Sequence, residues 1–301
     1  MPPTNTERDP HIEAQLARHL DGWTIRAFQQ VDSTMEIAHQ LAAGLPAEAS
    51  AQAGDAVERT LVWAARQEQG RGRLGRIWAS PEGGAYFSII VRPARPLAEI
   101  PQLSLVAGLS VAEAIRTLTG LFPSIRWPND LLLGEKKVAG ILVEVRSGLR
   151  AQGSPARLLP EPGRASPQPS TLFAAIGIGI NVTTGPGELP DTATSLLAHF
   201  PRNSSLVTRH SSLAHALTGA VCGRFTAWYD VWAAQGFGPI REALRPWIGI
   251  FGHPVQLTAG SDRFEGTASD LDESGRLLVR LDSGLMRQFD MGEVTLLRPS
   301  A

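Results

Sequence analysis

Apolar and polar residues follow two distinct patterns along the chain, one typical of strands and one typical of helices. Short apolar runs bounded by turn residues predict strands near residues 23–31, 60–65, 85–91 and 172–178. Apolar residues at helical spacing predict helices at residues 10–20, 34–43, 103–118 and 205–234. Gly120 follows the third helix directly and is expected to end it. Strand-like and helix-like segments thus share the first 248 residues.

The pattern changes after about residue 250. Short alternating strands are separated there by turn residues at 259–262, 272–275 and 282–284. This spacing fits a small β-barrel of about 45 residues. We therefore predict two domains, at residues 1–248 and 249–301. Within the first, residues 147–170 are rich in Gly, Ser, Pro and Ala, which predicts a disordered insertion.

Composition excludes several classes of protein. The 301 residues are 43% hydrophobic and 19% charged, as is usual for a soluble globular chain, and the net charge of −1 provides no overall basic field for nucleic acid. No apolar run approaches the roughly 20 residues of a membrane span. The single cysteine, Cys222, cannot form an internal disulfide. A cytoplasmic protein without DNA or membrane as a partner is the expectation.

The segment from Gln67 to Trp78, QEQGRGRLGRIW, carries the clearest chemical signal. Its glycines are expected to adopt positive φ and to let a ligand approach the backbone, while its arginines supply forked donors for carboxylate and phosphate. The residues concerned are Gly70, Gly72, Gly75, Arg71, Arg73 and Arg76. The glycine spacing also matches a dinucleotide-binding fingerprint, but no helix follows it, so we reject that site.

Lysine is almost absent from the chain. Of 28 basic residues only Lys136 and Lys137 are lysines, which suggests that a compact ammonium is needed where a planar guanidinium would not fit. Lys137 is the stronger candidate, because it lies nearer the following apolar strand. Chance survival in an exposed hairpin remains an alternative for Lys136.

Other positions have both a structural and a functional interpretation. Ser33 with Glu36 three residues later predicts a capping box at the start of a helix. Asn129 and Asp130 could be turn residues only, and Trp78 could be a core residue. Gly177 and Gly179, inside an apolar strand, suggest a ligand or backbone lying close against that strand. The chain has no GxxxxGK[ST], HExxH, CxxC or GxSxG motif, so any nucleotide would need a different cradle.

Taken in order, these motifs resemble the biotin protein ligase family. The resemblance runs from about residue 30 to the end of the chain, and five motifs carry it. They are Asp32-Ser33-Thr34, the Gln67–Trp78 segment, Trp127-Pro128-Asn129-Asp130, Lys137-Val138-Ala139-Gly140-Ile141-Leu142-Val143-Glu144, and Gly177-Ile178-Gly179-Ile180-Asn181. The family fold implies an α+β catalytic domain, of the class II synthetase-like type, with a mixed, mostly antiparallel sheet flanked by helices. An SH3-like C-terminal barrel follows it.

The resemblance also implies a two-step acyl transfer. Biotin and ATP form biotinyl-adenylate and pyrophosphate, and a lysine of a biotin carboxyl carrier protein then takes the biotinyl group and releases AMP. ATP with Mg²⁺ is the implied cofactor, with no protein metal ligands assigned. Lys137, Arg73 and Arg71 are the implied catalytic residues.

The family motifs assign ligand contacts residue by residue. Implied biotin contacts are Ser33, Thr34, Gln67, Arg71, Gly72, Arg73, Lys137, Gly140, Gly177 and Gly179. Implied nucleotide contacts are Arg73, Arg76, Trp78, Asn129, Asp130 and Asn181.

The chain departs from the family pattern at three places. Met35 stands where the family usually has asparagine, which removes one polar contact at the biotin head. About 30 residues precede Asp32, too few for the winged-helix domain of bifunctional members, so a monofunctional ligase is expected. Arg298 is offset by about one position from a family arginine that reaches the nucleotide.

Two alternatives stay open on the sequence. A lipoate or octanoate ligase or transferase shares the catalytic fold, and a non-catalytic biotin sensor would share the pocket. Oligomeric state is also open, with a homodimer as one expectation.

Overall fold

The computed structural model describes residues 7–43, 57–147, 172–185, 187–200, 210–290 and 292–297. The predicted insertion, apart from Ser147, and Arg298, which is offset from the family arginine, lie outside the described residues. The first five residues of the predicted helix at 205–234 also lie outside them.

A seven-stranded sheet is the centre of the larger domain. Its strands are β1 (Thr24–Val31), β2 (Val57–Gln67), β3 (Gly84–Val91), β4 (Ser124–Arg126), β5 (Asp130–Leu133), β6 (Lys136–Ser147) and β7 (Leu172–Asn181). They lie in the order β1-β2-β3-β7-β6-β5-β4. Only β1 and β2 are parallel, and every other neighbouring pair is antiparallel. The predicted mixed, mostly antiparallel sheet is confirmed.

Helices cover both faces of this sheet. They are α1 (Pro10–Ala17), α2 (Thr34–Ala43), α3 (Leu103–Thr119), α4 (His210–Gln235) and α5 (Gly238–Leu244). One apolar cluster packs α3 and α4 on one face, and a smaller cluster packs α2 on the other through residues such as Met35 and Phe173. All eight residues of β3 are buried, because this strand is covered from both sides.

Helix α3 is the core helix of the domain. Eleven of its residues are buried, and Gly120 ends it with φ of 74°. The apolar stretch Leu97–Thr119 is 23 residues long and would be long enough to cross a membrane, contrary to the expectation that no such run exists. Within the fold, 72% of its most apolar window is buried, which is the environment of a core helix in a globular protein.

The C-terminal domain is a five-stranded antiparallel sheet. Its strands are β8 (Pro254–Ala259), β9 (Asp262–Leu271), β10 (Leu277–Leu281), β11 (Met286–Phe289) and β12 (Glu293–Leu296). They lie in the order β11-β10-β9-β8-β12. Among the described residues no pairing joins the edge strands β11 and β12, so closure into a barrel stays a prediction. The domain boundary at 248/249 also stays a prediction.

A buried hydrogen bond connects the two domains. Trp127 Nε1 donates to the carbonyl oxygen of Gly275 at 3.0 Å, and both residues are buried. Gly275 lies in the turn between β9 and β10, so this bond attaches the C-terminal sheet to the chain between β4 and β5.

We expect Trp127→Phe to lower the free energy of unfolding by about 1–3 kcal/mol more than Trp63→Phe does. Both substitutions remove a buried indole nitrogen, but Trp63 Nε1 has no hydrogen-bond partner and so loses none. Chemical denaturation of both variants measures the difference. Equal losses would contradict a stabilising role for the inter-domain bond.

Candidate active site

The arginine-glycine loop between β2 and β3 folds back on itself. The amide of Trp78 donates to the carbonyl of Gly70 at 2.8 Å, and the amide of Gly72 donates to the carbonyl of Arg76 at 2.7 Å. A Cβ added to Gly70 would lie 2.4 Å from the Trp78 carbonyl oxygen, so only glycine permits this close approach. The loop is therefore a compact hairpin.

The predicted positive φ angles are only partly correct. Gly75 has φ of 73°, but Gly72 is extended with φ of −119°. The second left-handed residue is Leu74, at φ 57°, and its side chain is 78% exposed. Ile77 is 83% exposed on the same loop. The loop tip thus presents two apolar side chains to solvent.

The start of α2 and the end of β2 form a buried polar cluster. Thr34 Oγ1 and the Thr34 amide both donate to Gln67 Oε1, at 3.1 and 2.9 Å, and Gln67 Nε2 donates to Ser80 Oγ at 2.9 Å. Ser33 Oγ is buried and has no hydrogen-bond partner. The predicted capping box at Ser33 is therefore wrong, because its hydroxyl caps nothing.

Lys137 is held between an acid and an aromatic ring. Its Nζ lies 2.6 Å from Asp130 Oδ1 and 4.8 Å from the centre of the Trp78 ring. Its backbone is fixed by the amide of Thr194, which donates to the Lys137 carbonyl at 2.9 Å. Lys136, its neighbour, is exposed. The structure thus separates the two lysines as the sequence suggested.

Three glycines make room for side chains above the sheet. Added Cβ atoms would lie 2.5 Å from Trp78 Nε1 at Gly179, 3.0 Å from Trp78 at Gly140 and 2.7 Å from Met35 Sδ at Gly177. Side chains of the chain itself therefore lie against this strand pair, where a ligand or backbone was predicted. Trp78 Nε1 is buried without a hydrogen-bond partner, which leaves a donor available.

Arg73 carries an incompletely balanced charge. Its NH1 donates to Asn129 Oδ1 at 2.7 Å, a neutral acceptor. Burial lowers the pKa of Arg73 below its ordinary value, although Asp130 and Glu293 act in the opposite direction. Because arginine keeps its proton in proteins, the lowered pKa means that a bound anion would stabilise this guanidinium.

The other two loop arginines already have carboxylate partners. Arg71 NH2 donates to Glu144 Oε1 at 2.7 Å, and its NH1 lies 3.9 Å from Glu36. Arg76 forms an ion pair with Glu293 of the C-terminal sheet. The prediction that all three guanidinium groups are available to anions therefore needs correction, since within the described residues Arg73 is the one loop arginine without a direct carboxylate partner.

The pocket at the centre of these residues has a volume of about 50 Å³. Twelve of the predicted site residues line it, namely Ser33, Thr34, Gln67, Arg71, Gly72, Arg73, Trp78, Asn129, Lys137, Gly140, Gly177 and Gly179. Arg76, Asp130 and Asn181 do not line it. Asn181 Nδ2 donates to the Thr194 carbonyl at 3.0 Å, and its Oδ1 is buried without a partner.

Sequence reasoning missed several neighbours of the pocket. Leu142 and Glu144 lie on the same face of β6 as Gly140, because side chains alternate along a strand. That period-two signal was present in the sequence. The contact of Glu144 with His39 of α2 joins residues 105 positions apart and had no such signal.

No group of three or more His, Cys, Asp or Glu side chains within the described parts of the chain could hold a metal ion. Both oxygens of Asp130 are occupied, one by Lys137 and the other by Arg126 NH2 at 2.6 Å. These residues do not fit a protein cage for Mg²⁺. An ion held mainly by nucleotide phosphates and water would need few protein ligands.

Comparison with known sequences finds two family models that match parts of this chain. The Biotin/lipoate A/B protein ligase family matches residues 45–154, and the Biotin protein ligase C terminal domain matches residues 250–297. The chain is 31% identical to the bifunctional ligase/repressor BirA of Bacillus subtilis, covering 93% of this chain and 76% of that protein. It is 30% identical to the biotin acetyl-CoA-carboxylase ligase of Paracoccus denitrificans, covering 85% and 93%.

Solved structures agree with the sequence comparison. The biotin protein ligase from Aquifex aeolicus in complex with biotin and ATP is 28% identical, with a TM-score of 0.64, over 92% of this chain and 99% of that one. The fold of this chain is thus similar to that of a biotin protein ligase. The chain belongs to the biotin protein ligase family.

Proposed function

We propose that this chain joins biotin to ATP in the pocket beneath the arginine-glycine loop and transfers the biotinyl group to a lysine of a biotin carboxyl carrier protein. The observation that carries the proposal is the convergence of two cationic groups on one small pocket. Arg73, whose charge lacks a direct carboxylate partner, and Lys137 both line it. Reaction of a carboxylate with a polyphosphate requires such groups, because the two reactants repel each other.

The first step forms a mixed anhydride. A biotin carboxylate oxygen attacks the α-phosphorus of ATP, and the bond from that phosphorus to the bridging oxygen of the β-phosphate breaks, so pyrophosphate leaves. Lys137 and Arg73 are proposed to contact the reacting oxygens, and Arg71 to contribute through the loop. Preorganised donors at developing charge are typically worth about 10²- to 10³-fold in rate each.

Buried polar atoms without partners support the division of the pocket into two ends. Ser33 Oγ lies at the α2 end, beside Thr34 and Gln67, where the ureido group of biotin is proposed to bind. Trp78 Nε1 lies against Gly179 farther along β7. Asn181, which does not line the pocket, follows Gly179 on the same face of that strand, and its Oδ1 is also buried without a partner. The nucleotide is proposed to bind on this side, with Asn129, Asp130 and Arg76. Gly72, Gly140, Gly177 and Gly179 would line the path between them.

The pocket must open before substrates enter. A volume of about 50 Å³ holds a few water molecules, whereas small-molecule sites usually measure about 300–1,000 Å³. Trp78 and Met35 fill the space above Gly179 and Gly177, so movement of these side chains is part of the proposal. A loop that closes again over the adenylate would protect it from water.

In the second step the ε-amine of the carrier lysine attacks the acyl carbon. The bond from that carbon to the phosphate oxygen breaks, AMP leaves, and the amine loses a proton. The named relative from Paracoccus denitrificans acts on acetyl-CoA carboxylase, and we propose the corresponding carrier domain as the partner here. ATP supplied with Mg²⁺ and a cytoplasmic location belong to the same proposal.

A groove beside the pocket offers a place for the carrier to bind. It has a volume of about 500 Å³ and runs from Arg73 along Val143 and Val145 of β6 to Gly275 and Arg276 of the C-terminal sheet. Strand β5 pairs with β6 only as far as Gly140. Beyond Ile141, no described residue pairs with that edge of β6, and such an edge accepts an added strand.

A homodimer is a second candidate for the same edge. A second copy of the chain could add its own β6 antiparallel to the first, which would produce the symmetric contact typical of dimers. Carrier and second copy would then compete for one surface. Sedimentation of the protein with and without a carrier domain distinguishes the two.

We expect purified protein to catalyse ATP–pyrophosphate exchange that depends on biotin, because formation of the adenylate is reversible. Lipoate and octanoate serve as matched acids in the same assay with Mg²⁺. Exchange with lipoate or octanoate, and none with biotin, would contradict the proposed substrate.

We expect Lys137→Ala to lower the exchange rate by about 10²- to 10³-fold, because a positioned cation at the reacting oxygens is lost. Lys136→Ala is the matched control, since Lys136 is exposed and adjacent, and it should leave the rate unchanged. A biotin-binding measurement on both variants separates a catalytic defect from a loss of the pocket. Equal rates for the two variants would remove Lys137 from the mechanism.

We expect Arg73→Ala to release the adenylate about tenfold faster, because a charge-assisted contact to the phosphate is lost. Free adenylate would then biotinylate a bystander protein that is not a carrier. Arg66→Ala is the control, since Arg66 is exposed on β2 and its Glu68 contact is as long as 4.0 Å. Wild-type specificity in the Arg73 variant would show that the loop arginine does not retain the intermediate.

A further inference from the structure

A buried histidine is connected to the loop through a single carboxylate. His39 of α2 has a side chain only 3% exposed, and its Nε2 lies 2.7 Å from Glu144 Oε2. The other oxygen of Glu144 accepts from Arg71 NH2, also at 2.7 Å. The carboxylate therefore joins helix α2 to the first arginine of the loop.

The protonation of this group of residues follows from its contacts. The hydrogen bond from His39 lowers the pKa of Glu144, burial opposes this, and Arg71 lowers it further. An ionised carboxylate only accepts, so Nε2 of His39 carries the hydrogen. Nδ1 of His39 is buried without a hydrogen-bond partner, and the ring packs 6.0 Å from Phe173. No described residue offers His39 a second polar contact.

The same contacts decide which loop arginine is available to substrate. Glu144 at 2.7 Å and Glu36 at 3.9 Å balance the charge of Arg71. Arg73, two residues along, is left with the neutral Asn129. If Arg71 were released, the two guanidinium groups would compete for one anion, and the loop would lose its contact with β6.

We propose that His39 and Glu144 are positioning residues that hold Arg71 and thereby keep the loop ordered over the pocket. His39 acts through Glu144 and does not line the pocket itself. The importance of this order for biotin binding rests on the function proposed above. The order of the loop in the free protein does not depend on that function, because it is measurable without any substrate.

Trypsin cleavage of the substrate-free protein reports loop order, because trypsin cuts after Arg71, Arg73 and Arg76. Mass spectrometry of the fragments distinguishes cleavage in the loop from cleavage at the other arginines and lysines of the chain. We expect His39→Leu to speed cleavage in the loop by about tenfold, the lower range for loss of a hydrogen bond to a charged group. His39→Gln keeps a donor near the position of Nε2 and so can retain the hydrogen bond to Glu144. Its loop should therefore be cleaved at a rate within about twofold of wild type.

Kinetics provide the second readout. Biotin KM should rise about tenfold in His39→Leu with a smaller change in kcat, since binding would then have to order the loop. In an Arg71→Ala background, His39→Leu should add nothing to cleavage after Arg73 and Arg76, because the connection is already broken.

Three outcomes test the positioning role separately from the proposed ligase function. Wild-type loop cleavage in a folded His39→Leu protein would overturn the positioning role. If that variant does not fold, Glu144→Gln, at a partly exposed position, tests the same connection, and wild-type cleavage there would overturn it equally. Fast loop cleavage in His39→Leu, together with no biotin-dependent exchange by the wild-type protein, would instead refute the ligase function and leave the positioning role intact.

Discussion

The crowding of positive charge around one pocket is the constraint on which the site depends. Two guanidinium groups and one ammonium line a space of about 50 Å³, and a third guanidinium, that of Arg76, belongs to the same loop. Like charges so close together destabilise the fold unless they are balanced. Glu144, Glu293 and Asp130 provide that balance for Arg71, Arg76 and Lys137. The arrangement leaves Arg73 as the cation for which the described residues supply no direct carboxylate.

These acids come from different parts of the chain, which explains why the site needs the whole fold. Glu144 and Asp130 lie on neighbouring strands of the large sheet, whereas Glu293 belongs to the C-terminal sheet. The ion pair of Arg76 with Glu293 thus makes the C-terminal sheet part of the electrostatic environment of the loop. Together with the bond from Trp127 to Gly275, it attaches that sheet to the larger domain at two points.

Local pattern predicted most of the elements, and the family resemblance supplied the candidate pocket residues. Helix α2 has the predicted bounds, and β3 and α3 differ from prediction by one residue, because their apolar periodicity and the glycine after α3 are local signals. The motifs brought twelve predicted residues to one pocket.

The failures concern contacts that local pattern does not encode. Ser33 has the spacing of a capping residue, yet its hydroxyl is buried without a hydrogen-bond partner among the described residues. Leu74, which has a side chain that disfavours positive φ, adopts φ of 57° because the hairpin closes around it. The pairing of His39 with Glu144 depends on the contact of a helix with a strand in the folded protein, so no spacing in the sequence predicts it.

The open edge of β6 has a consequence for solubility. A strand edge with free main-chain donors and the apolar side chains of Val143 and Val145 can pair with any extended chain, which is the contact that starts aggregation. Glu144 and Arg146 interrupt these valines with opposite charges, and Arg146 is exposed. Charged residues in such positions discourage indiscriminate pairing. The same alternation that gives Glu144 its place beside Arg71 therefore also opposes indiscriminate pairing at this edge.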